Sequence, residues 1–345
     1  MAATGSTTVE NPAVPFFAGV DVGGTNIKLG IVDNLGRTLA YRKIPTQEEL
    51  GPEDAMLRAA GKLRTMCQEE NLADQDIVAV GLATPGTMDI AKGMLLQPHN
   101  LPRWWNFPIR DCLQTAYGKQ VWYANDANAA AFGEFWVGSG SDYHSIALFT
   151  LGTGVGGGII LGDLSIDGEN SAGGEFGHTI IDYTDQARLC GCGQRGHLEA
   201  YSSGKAVVQR ALEGLAANPD SSLHARLAAD KRLTPLTISQ EADAGDALSL
   251  QIVMDTAKYL GIGAVNVMHI VDPAAVIFGG AMNFGGHATD LGRRFLDRIR
   301  AEIKRRAFPV LAERTQIDFA TLGSDAGFIG AAGTARAGYR KRNHL

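Results

Sequence analysis

Two short segments, "GGEFGH" (173–178) and "CGCGQRGHLE" (190–199), gather two carboxylates, two histidines and two cysteines within 27 positions. Cys190, Cys192 and His197 are soft or borderline ligands, and His178 lies twelve residues before Cys190. Four nitrogen and sulfur donors suit tetrahedral zinc. Cys-x-Cys spacing is also compatible with free thiols in a glycine-rich loop, so both readings stand at this point. A closed four-ligand site keeps no position for an activated water, which makes any zinc here structural rather than hydrolytic. The other reactive candidates are carboxylates at strand ends. Asp126 reads equally as a carboxylate facing a cleft or as a helix N-cap. Asp21, beside a glycine turn, reads as an acid holding Mg²⁺ through water or as a turn-forming Asx residue. Glu134 lies inside a helical pattern and reads as a surface or packing residue.

Two glycine-threonine turns offer a second kind of chemistry. "GGT" occupies 23–25 and "GTGVGG" occupies 152–157. Glycines let backbone N–H groups approach and surround phosphate oxygens, and a threonine hydroxyl adds a donor. The second turn formally matches the dinucleotide fingerprint, with Glu175 near the expected acidic position. A β-run rather than a helix follows it, which counts against a Rossmann unit. No G-x-x-x-x-G-K-[ST] is present, so a Walker loop is excluded. The bland alternative is a pair of tight hairpins without a ligand; threonine in each turn favours phosphate.

The elements that would position these residues follow from patterning. An apolar strand ends at Asp21, a turn follows, and Ile27–Val32 resumes a strand, with another at about 38–44. Residues 52–70 have helical spacing, and "IVAVGLATPG" is a buried strand entering a Pro-Gly turn. "VWYANDANAAAFGEFW" is a strand ending at Asn125-Asp126, then an alanine-rich helix. "HSIALFTLGTGVGGGIILGD" repeats the opening theme of strand, glycine turn and strand, a weak internal duplication. Helices are expected at 203–217 and 246–270, a strand at 275–280 and a last helix from Asp325. Residues 218–243 carry no readable pattern.

At 345 residues the chain exceeds a typical single domain, and two lobes are expected. It is 45% hydrophobic and 20% charged, with a net charge of −6, which argues against nucleic-acid binding. Lys304-Arg305-Arg306 and Arg340-Lys341-Arg342 read as solvated helix faces. The uncharged run from Ser145 to Gly162 contains six glycines, so two strands and a loop are expected there, not a membrane span. Cys67 and Cys112 read as buried thiols. No signal peptide is visible at the start, and a cytoplasmic protein with one metal-type cluster is the expectation.

In order and spacing, "DVGGTNIK" (21–28), "LGTGVGGG" (151–158), "GGEFGH" and "CGCGQRGHLE" resemble the ROK family of repressors, open reading frames and sugar kinases, and most of all its glucokinases. The resemblance runs from about Phe17 to Gly338. It implies an α/β, two-lobed actin/hexokinase-like ATPase fold with a cleft between the lobes. The implied division is a flexible N-terminal lead at 1–16, a small lobe at 17–124 joined by the C-terminal helix of about 325–345, and a large lobe at 125–324 carrying a zinc loop at 178–197. The implied activity is ATP-dependent phosphorylation of glucose at its 6-hydroxyl. Another hexose or an N-acetylhexosamine is the alternative substrate, and a non-catalytic sugar-sensing regulator the alternative class. Such regulators carry a helix-turn-helix module, for which the residues before Gly19 are too few.

By the same resemblance, Asp126 is the general base. The sugar contacts are Gly86, Asn100, Asn125, Asp126, Glu175, His178 and Glu199. ATP and Mg²⁺ fall to Asp21, Gly23, Gly24, Thr25, Asn26, Lys28, Gly152, Thr153, Gly154, Gly156 and Gly157, with Gly279 and Gly280 near the adenosine. Lys28 reads equally as an orienter of the first loop and as a surface lysine. Trp104 and Trp105 read as core residues more readily than as cleft walls. Structural zinc falls to His178, Cys190, Cys192 and His197. The family has a third cysteine where this chain has His197, so its site would be Cys2His2, neutral with two thiolates and two imidazoles. The partners implied are a sugar, a nucleotide and a second copy of the chain, with no membrane and no nucleic acid.

Overall fold

The computed structural model describes residues 9–98 and 100–345. Two compact units divide the chain. The first comprises residues up to Asp142, Gly158–Gly174 and Ser324–Leu345; the second comprises Tyr143–Gly157 and Glu175–Gly323.

In the first unit, β1 (Phe16–Val22), β2 (Asn26–Val32) and β3 (Thr38–Pro45) form an antiparallel meander. After α1 (Gly51–Glu69), β4 (Ile77–Thr84) pairs parallel to β1. A hairpin of β5 (Thr87–Asp89) and β6 (Met94–Gln97) leads to α2 (Ile109–Tyr117) and β7 (Val121–Asn125), which is parallel to β4. The resulting order is β3-β2-β1-β4-β7. β1 and β4 are almost continuous apolar runs because both of their faces are buried. On one face Met56, Leu63 and Met66 of α1 join Val20, Leu29 and Val80 in the core. On the other lie α3 (Asp126–Val137) and α11 (Ala326–Arg342). Their approach is close: Ala83, Ala124, Ala129 and Ala331 form a small cluster, and a Cβ at Gly330 would lie 1.6 Å from the Ala129 carbonyl oxygen.

The second sheet has the order β10-β9-β8-β11-β12, built from β8 (Ser145–Leu151), β9 (Val155–Leu161), β10 (Leu164–Ser165), β11 (Ala275–Gly279) and β12 (Gln316–Phe319). Both sheets therefore read third-second-first-fourth-fifth in order of their own strands, and each begins with the repeated strand-turn-strand motif. In the second unit β8, β11 and β12 run parallel. Phe149 of β8 stacks on Phe278 of β11 at 5.2 Å and meets Phe176 at 4.7 Å. The unit's helices are α4 (Glu199–Ser202), α5 (Gly204–Leu215), α6 (Leu223–Asp230), α7 (Pro235–Asp243), α8 (Ala247–Val271), α9 (Asp290–Arg306) and α10 (Pro309–Arg314).

Several expectations change. The unit boundary falls after Asp142, not at Asn125, because α3 packs on α11. Residues 1–8 of the expected flexible lead lie outside the described residues. Beyond them the chain is tied down: Ala13 N–H donates to Asp33 Oδ2, Asn34 N–H to the Ala13 carbonyl, and Arg37 to the Asn11 carbonyl. The unpatterned stretch 218–243 contains α6 and α7. Cys112 is half-buried, Trp104 is buried and Trp105 is 53% exposed. Glu134 is wholly buried, and its carboxylate accepts from Ser139 N and Oγ past the end of α3. No helix among the described residues is long and apolar enough to cross a membrane.

Candidate active site

In the first unit, the β1–β2 turn carries Gly23, Gly24 and Thr25. Gly23 N–H donates to the Asn26 carbonyl at 2.9 Å. Thr46 clamps the turn from both sides: its N–H donates to the Thr25 carbonyl at 2.9 Å and its hydroxyl to the Gly23 carbonyl at 2.7 Å. That residue carried no sequence signal, being an unremarkable polar position after β3. Asn100 lies beside the turn, with its Cβ 3.4 Å from where a Gly24 Cβ would stand. Gly86 has φ +92°, and a Cβ there would lie 2.5 Å from Pro98 Cα, so only glycine fits.

Asp21 is the penultimate residue of β1. Burial raises its carboxyl pKa, partly offset by Lys28 at 3.9 Å. Lys28 Nζ also donates to the Ser324 carbonyl at 2.5 Å. Its ammonium is thus committed to Asp21 and to Ser324, two residues before α11, not to the glycine turn.

Asn125 and Asp126 sit where β7 becomes α3. The helix cap is Asn125, whose Oδ1 accepts from Ala127 N (2.9 Å) and Asn128 N (3.4 Å). Asp126 is the first helical residue, and its Oδ1 also accepts from Ala127 N at 2.8 Å. The N-cap alternative for Asp126 therefore passes to its neighbour. Capping uses the Asn125 amide oxygen and leaves the Nδ2 hydrogens to donate. One turn on, buried Asn128 donates from Nδ2 to Asp167 Oδ1 at 2.9 Å, and Ser165 Oγ donates to the same oxygen at 2.8 Å. Burial raises the Asp167 pKa against those two bonds. Neither residue was singled out from sequence.

In the second unit, the turn at Gly152–Gly154 is held by Gly204 N–H on the Gly152 carbonyl (2.9 Å) and Met282 N–H on the Leu151 carbonyl (3.1 Å). Gly280 has φ +96°, and a Cβ there would be 2.3 Å from the Leu151 carbonyl oxygen, so the end of β11 abuts this turn. Gly156 and Gly157 lie in β9. A cavity of about 570 Å³ opens beside Gly152 and Thr153, walled by Val208, Pro235, Leu236 and Met282.

"EFGH" folds as one 3₁₀ turn. Phe176 anchors it on Phe149, and a Gly177 Cβ would lie 2.1 Å from the Val155 carbonyl oxygen. The loop that follows doubles back on itself: Ile181 N–H bonds the Gly196 carbonyl, Leu198 N–H the Thr179 carbonyl, and Cys190 N–H the Gln194 carbonyl. This brings one donor atom each from His178, Cys190, Cys192 and His197 within 4.8 Å of one another. The Nδ1 atoms of His178 and His197 are 3.3 Å apart, Cys192 Sγ is 3.2 Å from His197 Nδ1, and Cys190 Sγ is 3.9 Å from His178 Nδ1. A tetrahedral zinc with bonds of about 2.0–2.3 Å needs ligand atoms roughly 3.3–3.8 Å apart; these three pairs lie close to that spacing, and the widest separation in the set, up to 4.8 Å, would have to close on the ion. Burial pushes the Cys190 thiol up to about 11 and lowers the His197 pKa, aided by His178. The neutral imidazole is the metal-binding form.

The His178 Nδ1 faces the cluster, while its Nε2 lies 3.8 Å from Glu175 Oε2. Glu199 bridges two features. Its Oε2 accepts from Val155 N at 2.9 Å, at the exit of the glycine turn, and its Oε1 lies 3.9 Å from Cys190 Sγ. One oxygen expected on the sugar is thus spent on backbone.

The chain is 33% identical to the glucokinase of Halalkalibacterium halodurans over 317 residues, covering 91% of this chain and 93% of that one. The crystal structure of a ROK hexokinase from Thermus thermophilus superposes with a TM-score of 0.78 at 30% identity, covering 96% of this chain and all of that one. A ROK family glucokinase from Streptomyces griseus, solved with glucose and AMPPNP, superposes with a TM-score of 0.73 at 32% identity, covering 93% and 99%. The ROK family model matches residues 17–337. The chain belongs to the ROK family, with the actin/hexokinase-like fold of its sugar kinases.

Proposed function

We propose that the protein transfers the γ-phosphoryl group of ATP to the 6-hydroxyl of glucose. The observation that carries this reading is the Glu199 carboxylate, which ties the Cys/His loop to the glycine turn after β8. Groups suited to sugar hydroxyls and groups suited to phosphate thereby share one rigid construction. Similarity to glucokinases, one of them solved with glucose and a nucleotide, supports the substrate pair.

A hexose hydroxyl is a weak nucleophile, but phosphoryl transfer passes through a loose transition state with charge on the phosphoryl oxygens. Alignment and backbone donors therefore matter most. Asp126 accepts the hydroxyl proton as the new P–O bond forms. Asn125 donates to the sugar through Nδ2, and Glu175, His178 and the Gly86 backbone take neighbouring hydroxyls. The Gly23–Thr25 and Gly152–Gly157 turns hold the phosphates, and the cavity by Val208, Pro235 and Leu236 takes the base, near Gly279 and Gly280. Asp21 would hold the Mg²⁺ that accompanies ATP, which would supply charge neutralisation. His178, Cys190, Cys192 and His197 would hold a structural zinc, which would fix the loop that presents His178 Nε2. The family resemblance extends this reading to a cytoplasmic homodimer.

The test is ADP formation from MgATP with glucose, mannose, fructose, allose, N-acetylglucosamine, N-acetylmannosamine or no sugar. Glucose should dominate. Preference for an N-acetylated sugar would keep the mechanism and change the substrate. No sugar-dependent ADP release from zinc-loaded protein would leave a sugar-binding regulator as the better account.

A further inference from the structure

Lys205 is the second residue of α5, whose first N–H, that of Gly204, donates to the Gly152 carbonyl in the glycine turn. Its side chain lines the 570 Å³ cavity beside Gly152 and Thr153. Among the described residues lining that cavity it is the single charged one, the rest being glycine, threonine, glutamine and apolar side chains. It makes no hydrogen bond or ion pair among the described residues.

The obvious partners for it are already engaged. Lys205 also lines a second cavity of about 480 Å³ that includes Arg188, Glu199 and Glu213. Glu213 accepts from both terminal guanidinium nitrogens of Arg188, Nη1 and Nη2, and from Gln209 Nε2 at 3.0 Å. Glu199 accepts from Val155 N. The first turn of a helix is also a poor place for a cation, because the exposed N–H groups carry partial positive charge. Neither helix stability nor a local ion pair accounts for a lysine here. A negatively charged ligand in the cavity does.

We propose that Lys205 reads the phosphate chain of the nucleotide, and so discriminates a nucleoside di- or triphosphate from the bare nucleoside. The assignment rests on the kinase reading above. Val208, Pro235, Leu236 and Met282 offer the apolar wall that a purine needs, while Gly152 and Thr153 mark the phosphate end. Lys205 stands with them, and Gln209, four residues on, shares its helix face.

Wild-type protein, Lys205→Met and Lys205→Arg are titrated with ADP and with adenosine by calorimetry. The side chain is exposed, so the variants should melt with the wild type. A charge-assisted hydrogen bond to phosphate is worth roughly tenfold or more in affinity. The methionine variant should therefore lose about that factor for ADP, keep adenosine within about twofold, and be largely rescued by arginine. Unchanged ADP affinity in Lys205→Met would overturn the assignment. So would equal weakening of ADP and adenosine, which would make the lysine a wall of the pocket only. If wild type binds glucose but neither ADP nor adenosine, the ATP reading itself falls and takes the assignment with it.

Discussion

Removing the negative charge at Asp126 separates its two possible roles. Asp126→Asn keeps an oxygen for the Ala127 N–H and keeps polar contact with a hydroxyl, but it cannot accept a proton. As general base it is worth ~10²–10⁴ in rate, so kcat should fall by that factor while glucose still binds measurably by calorimetry. A variant retaining more than a tenth of wild-type kcat would sink the assignment. Glu199 calls for a different outcome. Glu199→Gln leaves an amide oxygen for Val155 N–H but removes the charge beside Cys190, whereas Glu199→Ala removes both. The alanine variant should raise KM for ATP and for sugar together, because the turn and the loop lose their common anchor; the glutamine variant should affect ATP far less. Steady-state kinetics varying each substrate in turn distinguishes the pair. At this scale the sequence was informative wherever a residue's type is itself the chemistry, as with the Cys/His set. It was silent on Thr46, Asp167 and Lys205, because what matters for each is a partner far away along the chain or a cavity that several segments build.

Several elements were legible where their pattern was long or fully buried, although the seventeen-residue α9 was not placed. β1, β4, β8 and α8 could be placed because continuous apolar runs or many helical turns average out local exceptions. α6 and α7 span only eight and nine residues, too few turns for periodicity to emerge from a polar background. The boundary after Asp142 was hidden for another reason. It depends on α3 docking against α11, some two hundred residues later, and small residues alone permit that docking. Gly330 sits at the closest point, where an added Cβ would meet the Ala129 carbonyl oxygen at 1.6 Å. Backbone cannot yield as a flexible side chain would, so Gly330→Ala must push the helices apart. Overpacking of this kind costs about 1–3 kcal/mol or more. Thermal unfolding should show a Tm lower by several degrees, with zinc content unchanged, since the Cys/His loop belongs to the other unit. A melting curve indistinguishable from wild type would contradict so close an approach.

Each of the two units contains its own buried carboxylate held ionised, and this sets how the whole chain answers acid. In the first unit, burial pushes the Asp33 carboxyl up, but hydrogen bonds from Ala13, Arg37 and Leu35 outweigh it and hold the pKa below the usual value. In the second, burial of Glu302 is outweighed by Arg306, Arg298 and Arg305. A depressed folded-state pKa contributes stability that is fully present above the unfolded values of about 3.9 and 4.3, and is lost as pH falls through the folded ones. Acid should therefore weaken both units, and Asp33→Asn should flatten the acid limb in the first alone. Metal removal should act on one side only. The loop from His178 to His197 already has its own backbone hydrogen bonds, so chelation loosens it without unfolding it. Hydrogen exchange read by mass spectrometry tests both claims on one sample. At neutral pH a chelator should speed exchange across 178–203 and leave β1, β2 and α11 protected, whereas acid should speed exchange in both units. Unchanged exchange in 178–203, together with well under one zinc per chain by metal analysis, would mean that the loop stands on its hydrogen bonds alone and that His197 replaced a lost ligand.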